Sequence, residues 1–413
     1  MKKVFSKTVF LLVVLTTTFL SCQKNDPNQP DNTKDTKNAL FSQGDGTPTN
    51  PFIIFTAQQL DSVRNNLSAC YKLGNNIDLI SYLAANGAGY NNGAGWNPIG
   101  FSVGSFSGSF DGAGYKITGL WINRFTKDDV GLFGFIANGS VQNLVVEIAN
   151  NNGGITGHDL VGGLSGGMAG SNITNCCING AGGINGNENV GGMVGEAGWN
   201  GNTIANSYST IVINGSECVG GLTGLLNGDG NIIANCYASS AVNGNQDVGG
   251  VVGRINISTI ANCYAMGSVN GSDIDVGGVA GGVSTGGKVF TCYSSGKVNG
   301  NNYVGGVAGI VFDNSYTTNS VALNPNVTGN INYVGRVVGS VQNSSLDNNW
   351  ARNDMIITAN GSSKTLSKGN NMADGVDCTA IPAASWWTSV SPIGPGWSNS
   401  VWYFANSQLP IFQ

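Results

Sequence analysis

Apolar residues come in short runs along this chain, four to six at a time, with Gly, Asn and Ser between them. Val and Ile lead the runs, and the breaks carry turn-forming residues, so each run predicts a β-strand rather than a helix. The runs recur in register. Val-Gly-Gly-x-x-Gly or a near variant starts at Val130, Val161, Val190, Val219, Val248, Val276, Val304 and Val334, at steps of 31, 29, 29, 29, 28, 28 and 30 residues. A second element keeps step: Ile173-Thr-Asn-Cys176, Ile204-Ala-Asn-Ser-Tyr208, Ile233-Ala-Asn-Cys-Tyr237, Ile260-Ala-Asn-Cys-Tyr264 and Val289-Phe-Thr-Cys-Tyr293. A third closes each unit, at Ile213-Asn-Gly215, Val242-Asn-Gly244, Val269-Asn-Gly271 and Val298-Asn-Gly300. Three registers sharing one period mark a repeat architecture.

A unit with three short apolar runs cannot bury its own apolar side, so neighbours must stack, at ~4.8 Å per strand. The expected fold is all-β: a parallel β-solenoid, β-helix-like and right-handed, with about 29 residues per coil. Val, Ile and Leu point inward, and glycine serves corners that need positive φ or a close backbone approach. Asn175, Asn206, Asn235 and Asn262 suit a stacked corner, because Asn tolerates left-handed φ and its amides bond to neighbours above and below. Thr56-Ala-Gln-Gln59 reads as a capping box that opens a short N-terminal capping helix through Leu67, laid over the first coil. After Asn343 the period is lost, and Trp386, Trp387, Trp397, Trp402, Tyr403 and Phe404 supply an aromatic C-terminal cap.

The repeat motifs carry a family resemblance. Gly163-Leu164-Ser165-Gly166 and Gly221-Leu222-Thr223-Gly224, with the flanking Asn-Cys-Tyr-Ala and Val-Asn-Gly, resemble the GLUG-motif repeat family from about Val130 to Ser340. That resemblance implies a bacterial surface protein; the family includes adhesin-like proteins and non-catalytic parts of some immunoglobulin A proteases. It implies no common ligand or catalytic residue. Arg336 departs from the pattern by replacing the second glycine of the last unit, as a terminal repeat facing a cap can. The N-terminus resembles a bacterial lipoprotein signal: Lys2 and Lys3, an apolar stretch from Val9 to Leu15, then Leu20-Ser21-Cys22. Cys22 is thereby the expected lipidation site, and Lys24 with Asp26 is similar to the surface-export tag of Bacteroidota lipoproteins. The expected division is a signal peptide at 1–22, a disordered tether at 23–44, an N-terminal cap with irregular first coils at 45–129, the repeat solenoid at 130–342 and a C-terminal cap at 343–413.

Composition narrows the function. Apolar residues make up 41% of the chain, enough for a core, so general disorder is excluded. Charged residues are only 10%, and the part after residue 37 holds 12 basic against 20 acidic ones, which argues against nucleic acid. His158 is the only histidine; beside Asp159 it is expected to sit in a solvated turn, the two side chains on opposite faces. No serine elbow, phosphate loop or His-Glu-x-x-His motif is present, so the chain is expected not to be an enzyme.

Three sets of residues remain as candidates. Tyr208, Tyr237, Tyr264 and Tyr293, with Trp199, form an expected outward aromatic row for ligand contact, because the small residue before each Tyr points inward. Asp159, Glu188, Glu217, Asp247 and Asp275 precede the Val-Gly-Gly turn; stacked along one edge, they are candidate Ca²⁺ ligands, and no other cofactor is implied. Cys236, Cys263 and Cys292 occupy one ladder position, read as small buried packing residues because parallel side chains make a disulfide torsion awkward. The combined expectation is a monomeric outer-membrane lipoprotein, exposed at the cell surface and held to the membrane by acyl chains. Its role would be adhesin-like binding of host, matrix or glycan. Carbohydrate capture or cleavage is the alternative, and a structural spacer the third reading.

Overall fold

The computed structural model describes residues 40–413 apart from residues 102, 103, 200, 332, 370 and 371. The expected signal peptide, Cys22 and the expected tether before residue 40 lie outside the described residues. One coil shows the repeating unit: β1 (Thr223–Asn227), β2 (Ile232–Ala234), β3 (Tyr237–Ala238), β4 (Val242–Gly244) and β5 (Gln246–Gly249). Five short strands replace the three runs expected per unit, because Val-Gly-Gly-x-x-Gly is not one strand. β5 ends on its first glycine, the chain bends at the second, and the next coil's β1 strand begins at Val252. Each strand pairs in parallel with its counterparts, building sheets of 8, 11, 11, 10 and 7 strands in the order β1 to β5. A parallel β-solenoid is therefore the fold.

The register is one-for-one. Ile204 pairs with Ile233 and Ile233 with Ile260 in the β2 sheet, and Val219 with Val248 and Val248 with Val276 in the β5 sheet. All six side chains are fully buried. Each such burial contributes ~1.5–3 kcal/mol, and no coil obtains it without neighbours.

The asparagine corner exists. Between the β2 and β3 sheets, Asn175, Asn206, Asn235 and Asn262 hold φ of 54°, 51°, 56° and 53°. Asn262 Nδ2 donates to Asn235 Oδ1 at 3.1 Å, and Asn235 Nδ2 to Asn206 Oδ1 at 3.2 Å. A second, unbroken ladder runs along the β4 sheet through Asn185, Asn214, Asn243, Asn270 and Asn299, with amide bonds of 2.9–3.0 Å. The second glycine of each repeat has a different task. A Cβ on Gly221, Gly250 or Gly278 would lie 2.0–2.2 Å from the carbonyl oxygen of the next coil, and none of the three has positive φ. Close approach, not left-handed φ, requires glycine there.

The ends depart from expectation in detail. Phe41 is buried and stacks on Phe52 at 4.8 Å, so the folded part starts before residue 45. The capping box at Thr56 and Gln59 is formed, but α1 covers only Ala57–Ser62 before a short 3₁₀ turn at Val63–Asn65. It serves as the crossover between the parallel strands Phe52–Ile54 and Cys70–Leu73, with Leu60 and Val63 fully buried. At the other end, Trp350–Arg352 and Val376–Cys378 extend the β3 sheet beyond the expected limit at residue 342.

Candidate functional site

The outer face of the β3 sheet holds the tyrosine row. Tyr208, Tyr237, Tyr264 and Tyr293 occupy successive register positions and stack with ring centroids 4.7, 4.9 and 4.9 Å apart, their planes within 5°. They point outward as expected from strand alternation, since the preceding Ser207, Cys236, Cys263 and Cys292 point inward and are buried. Their availability differs from expectation. The C-terminal aromatic segment does not plug the solenoid's end; it folds along this flank. It comprises α2 (Ala384–Thr388) and a hairpin pairing Trp402–Tyr403 with Ile411–Phe412. Trp387, Trp397 and Trp402 pack on Tyr293, and Phe412 lies 5.2 Å from Tyr264. The Tyr293 hydroxyl donates to the Pro410 carbonyl at 2.7 Å.

Tyr264 and Tyr293 are consequently buried and offer no ligand surface. Trp199 is not part of the row either. It is 67% exposed, sits at φ 54° on another turn and meets Phe135 edge-on at 5.8 Å.

A groove of about 450 Å³ borders the C-terminal segment, lined by Tyr208, Tyr237, Phe412 and the corner amides of Asn175, Asn206 and Asn235. The tyrosine stack ends there, because the residue paired with Tyr208 on the preceding coil is Cys177, too small to cover the ring. The Cys177 thiol, and then partial burial, hold the Tyr208 hydroxyl well above its ordinary pKa, so it is a neutral donor near pH 7. Apolar ring and amides side by side are what a sugar requires: CH faces to stack and hydroxyls to satisfy. The corner asparagines, expected only as structure, also face this groove, and Phe412 joins them although no local sequence pattern links it to Tyr237.

The acidic row is not one row. Glu188 pairs with Glu217, and Glu217 with Gln246, in an exposed column two residues before the valine, which Asp159 shares. Asp247 and Asp275 stand one residue before it, at φ 53° and 61°, and are buried. The one-residue offset splits the five carboxylates into two columns instead of one continuous edge, and only Glu217 and Asp247 converge across it, with Cys218, their ligand atoms within 4.8 Å of one another. Asp247 Oδ2 instead accepts from Arg254 Nη2 at 2.6 Å, with Asp275 Oδ2 at 3.5 Å from the same nitrogen. Gly282 faces them, since a Cβ there would sit 2.6 Å from Asp247 Oδ1. Burial, reinforced by Asp247 and Asp273 against the opposing pull of Arg254, raises Asp275 to about 7.

The linkage sign follows. Asp275 binds its proton more tightly folded than unfolded, so its neutral form costs nothing below pH ~4 and stability falls as pH climbs from there through 7. We expect Asp275→Asn to remove a loss of order 4 kcal/mol. In thermal unfolding across pH, Tm of the variant should exceed that of the parent at pH 8 and match it near pH 4; equal Tm at pH 8 would refute the assignment.

His158 lies in an exposed turn, but its Nδ1 is 3.1 Å from Asp128 Oδ1 and 3.2 Å from Asp159 Oδ2, so His158 and Asp159 do not point apart. The eight described cysteines are all buried and unbridged, and burial pushes the Cys176 thiol up to about 12. Their burial places them as packing residues of the core.

No family model matches the chain. It is 45% identical over 109 residues to a putative Gly-rich membrane protein of Evansella cellulosilytica, covering 26% of this chain and 12% of that protein. It is 35% identical over 132 residues to Halomucin of Haloquadratum walsbyi, covering 31% of this chain and 1% of that protein. The chain thus spans only a small part of the length of the curated relatives it matches. Among solved structures, a putative immunoglobulin A1 protease from Bacteroides ovatus matches 91% of this chain and 95% of its own, at 21% identity and a TM-score of 0.49. Among the described residues, no helix is long and apolar enough to cross a membrane.

Proposed function

We infer that the chain is a GLUG-type, adhesin-like surface protein: a non-catalytic rod, lipid-anchored through Cys22, that holds a glycan at the Tyr208 groove away from the cell. The carrying observation is the groove itself, with a terminal tyrosine face, a second aromatic and a row of asparagine amides. None of its lining side chains is a carboxylate, so it suits retention of a sugar better than cleavage, which calls for paired acids. The membrane designation of the Evansella relative fits the anchored reading.

The test is a glycan and matrix array probed with the full chain. We expect retention on a glycan class, lowered at least ~tenfold by Tyr208→Ala, the loss of about 1.4 kcal/mol of stacking. Tyr293→Ala should lower stability instead. Release of reducing ends would turn the reading to a carbohydrate-cleaving protein, and no retention on any ligand would leave a spacer.

A further inference from the structure

A second groove, on the N-terminal coils, has the opposite chemistry. Its volume is about 360 Å³, within the ~300–1,000 Å³ range of small-ligand sites, and Asn97, Pro98, Phe101, Arg124 and Lys127 line it. Arg124 is half-buried and fixed from within: its Nε donates to the Trp96 carbonyl at 3.2 Å, and its backbone N–H to the Thr156 carbonyl at 2.9 Å. The wall beside it is fixed as well. Arg64 donates to the carbonyls of Asn97 and Pro98 at 2.8 and 3.0 Å and lies over the Trp96 ring at 5.5 Å.

The charge is unbalanced. The sequence contains five arginines, and four of them, Arg64, Arg254, Arg336 and Arg352, each hold an aspartate within 3 Å. Arg124 alone has no carboxylate partner among the described residues, although burial and the neighbouring Arg64 both disfavour its charge. Lys127, on the same turn, is exposed and likewise without an ion pair among the described residues. Asp128, the one acid at the rim, is engaged by His158 at 3.1 Å. Asp128 lines the groove too, so its two cations face one carboxylate and leave an excess positive charge, unusual in a chain with a formal net charge of −5 and suited to an anion.

We propose that this groove binds the acidic group of an anionic sugar, carboxylate or sulfate, with Arg124 as the planar fork, Lys127 as the second charge, and Pro98 and Phe101 against the ring. The planar guanidinium matches the two oxygens of either group, and the apolar wall favours a sugar over a bare inorganic ion. The site is independent of the Tyr208 groove and does not rest on it.

Titration calorimetry on the full chain decides it, with glucuronate oligosaccharides, sulfated oligosaccharides and neutral glucose oligosaccharides as three arms. We expect heat from at least one acidic arm, none from the neutral arm, and weakening at high ionic strength. Arg124→Gln should lower affinity at least tenfold, and Lys127→Gln, at an exposed position that cannot compromise folding, severalfold. Tyr208→Ala should leave this binding unchanged, which separates failure of this site from failure of the glycan groove. Equal binding of acidic and neutral sugars, no acidic binding at millimolar ligand, or full affinity in Arg124→Gln with unchanged Tm would each overturn the proposal.

Discussion

Adding one methyl group at Gly250 is expected to break the rod in the middle. The Cβ of Gly250→Ala would stand 2.2 Å from the Gly278 carbonyl oxygen and 2.6 Å from the Ala265 Cβ. Neither can retreat. The Gly278 carbonyl belongs to the next coil, held by the backbone bond from Gly250 to Gly277 at 3.2 Å, and Ala265 is an inward residue of the β3 sheet. The backbone conformation itself suits alanine, since φ at Gly250 is not positive, so the whole effect is overpacking. We expect a loss of at least ~3 kcal/mol, the upper part of the usual range, because the clash is with main chain. Contacts in a solenoid join nearest neighbours only, so the defect should also divide denaturant unfolding into two transitions. Gly286→Ala is the comparison. That glycine has φ 79° and nothing within 4 Å of its Cβ, so the cost is left-handed strain alone, ~1–2 kcal/mol, without a second transition. A single transition at the parent midpoint for Gly250→Ala would contradict the close-approach account.

How much of this was readable beforehand follows from which interactions are periodic. Interior valines and corner asparagines repeat with the coil, so the recurring Ile-Ala-Asn-Cys-Tyr motif, 27 residues apart at this step, placed Ile233 over Ile260 and Asn235 beside Asn262. Features that break the period were not readable. Trp397, Trp402 and Phe412 advertise a large apolar load, but no sequence signal says that it lands on Tyr264 and Tyr293 rather than over the last coil. The acidic residues misled for a related reason. Their offset from the valine is two residues in the first three units and one in the last two, and only the left-handed backbone at Asp247 and Asp275 shows that the shorter offset leads into a buried cleft. Arg124 is invisible in sequence because its property is a missing partner, and a missing partner is a statement about space.

Arg336 joins the two kinds of information. It occupies the position of Gly221, Gly250 and Gly278, where a side chain is forbidden by the carbonyl of the following coil. The last regular coil has no such follower, so the constraint lapses and the position accepts a residue that closes the stack. Arg336 is fully buried; its Nη1 donates to Asp377 Oδ1 at 2.7 Å, its Nε to the Asp374 carbonyl at 2.8 Å, and its Nη2 to the Gly375 carbonyl at 3.2 Å. Its backbone N–H donates to Asp374 Oδ1 at 2.9 Å, while the Ala373 carbonyl accepts from Val337 and Val338. Residues 373–377 are thus latched over the open strand ends by one side chain. Arg336→Leu keeps the bulk and removes every donor of the fork, leaving buried carbonyls without partners. We expect a loss of about 3–5 kcal/mol, because the carbonyls of Asp374, Gly375 and Arg352 lose their donors at ~1–3 kcal/mol for each one left buried and unsatisfied. Hydrogen exchange should place it: amides of 373–378 and of the last β5 and β1 strands lose protection, while those around Ile233 keep theirs. Asp377→Asn should cost under ~1 kcal/mol, because that carboxylate is partly exposed and the backbone acceptors of the fork survive. If Arg336→Leu left terminal protection intact, the closure would have to reside in the aromatic flank, and cutting the chain before Trp386 would then open the same amides.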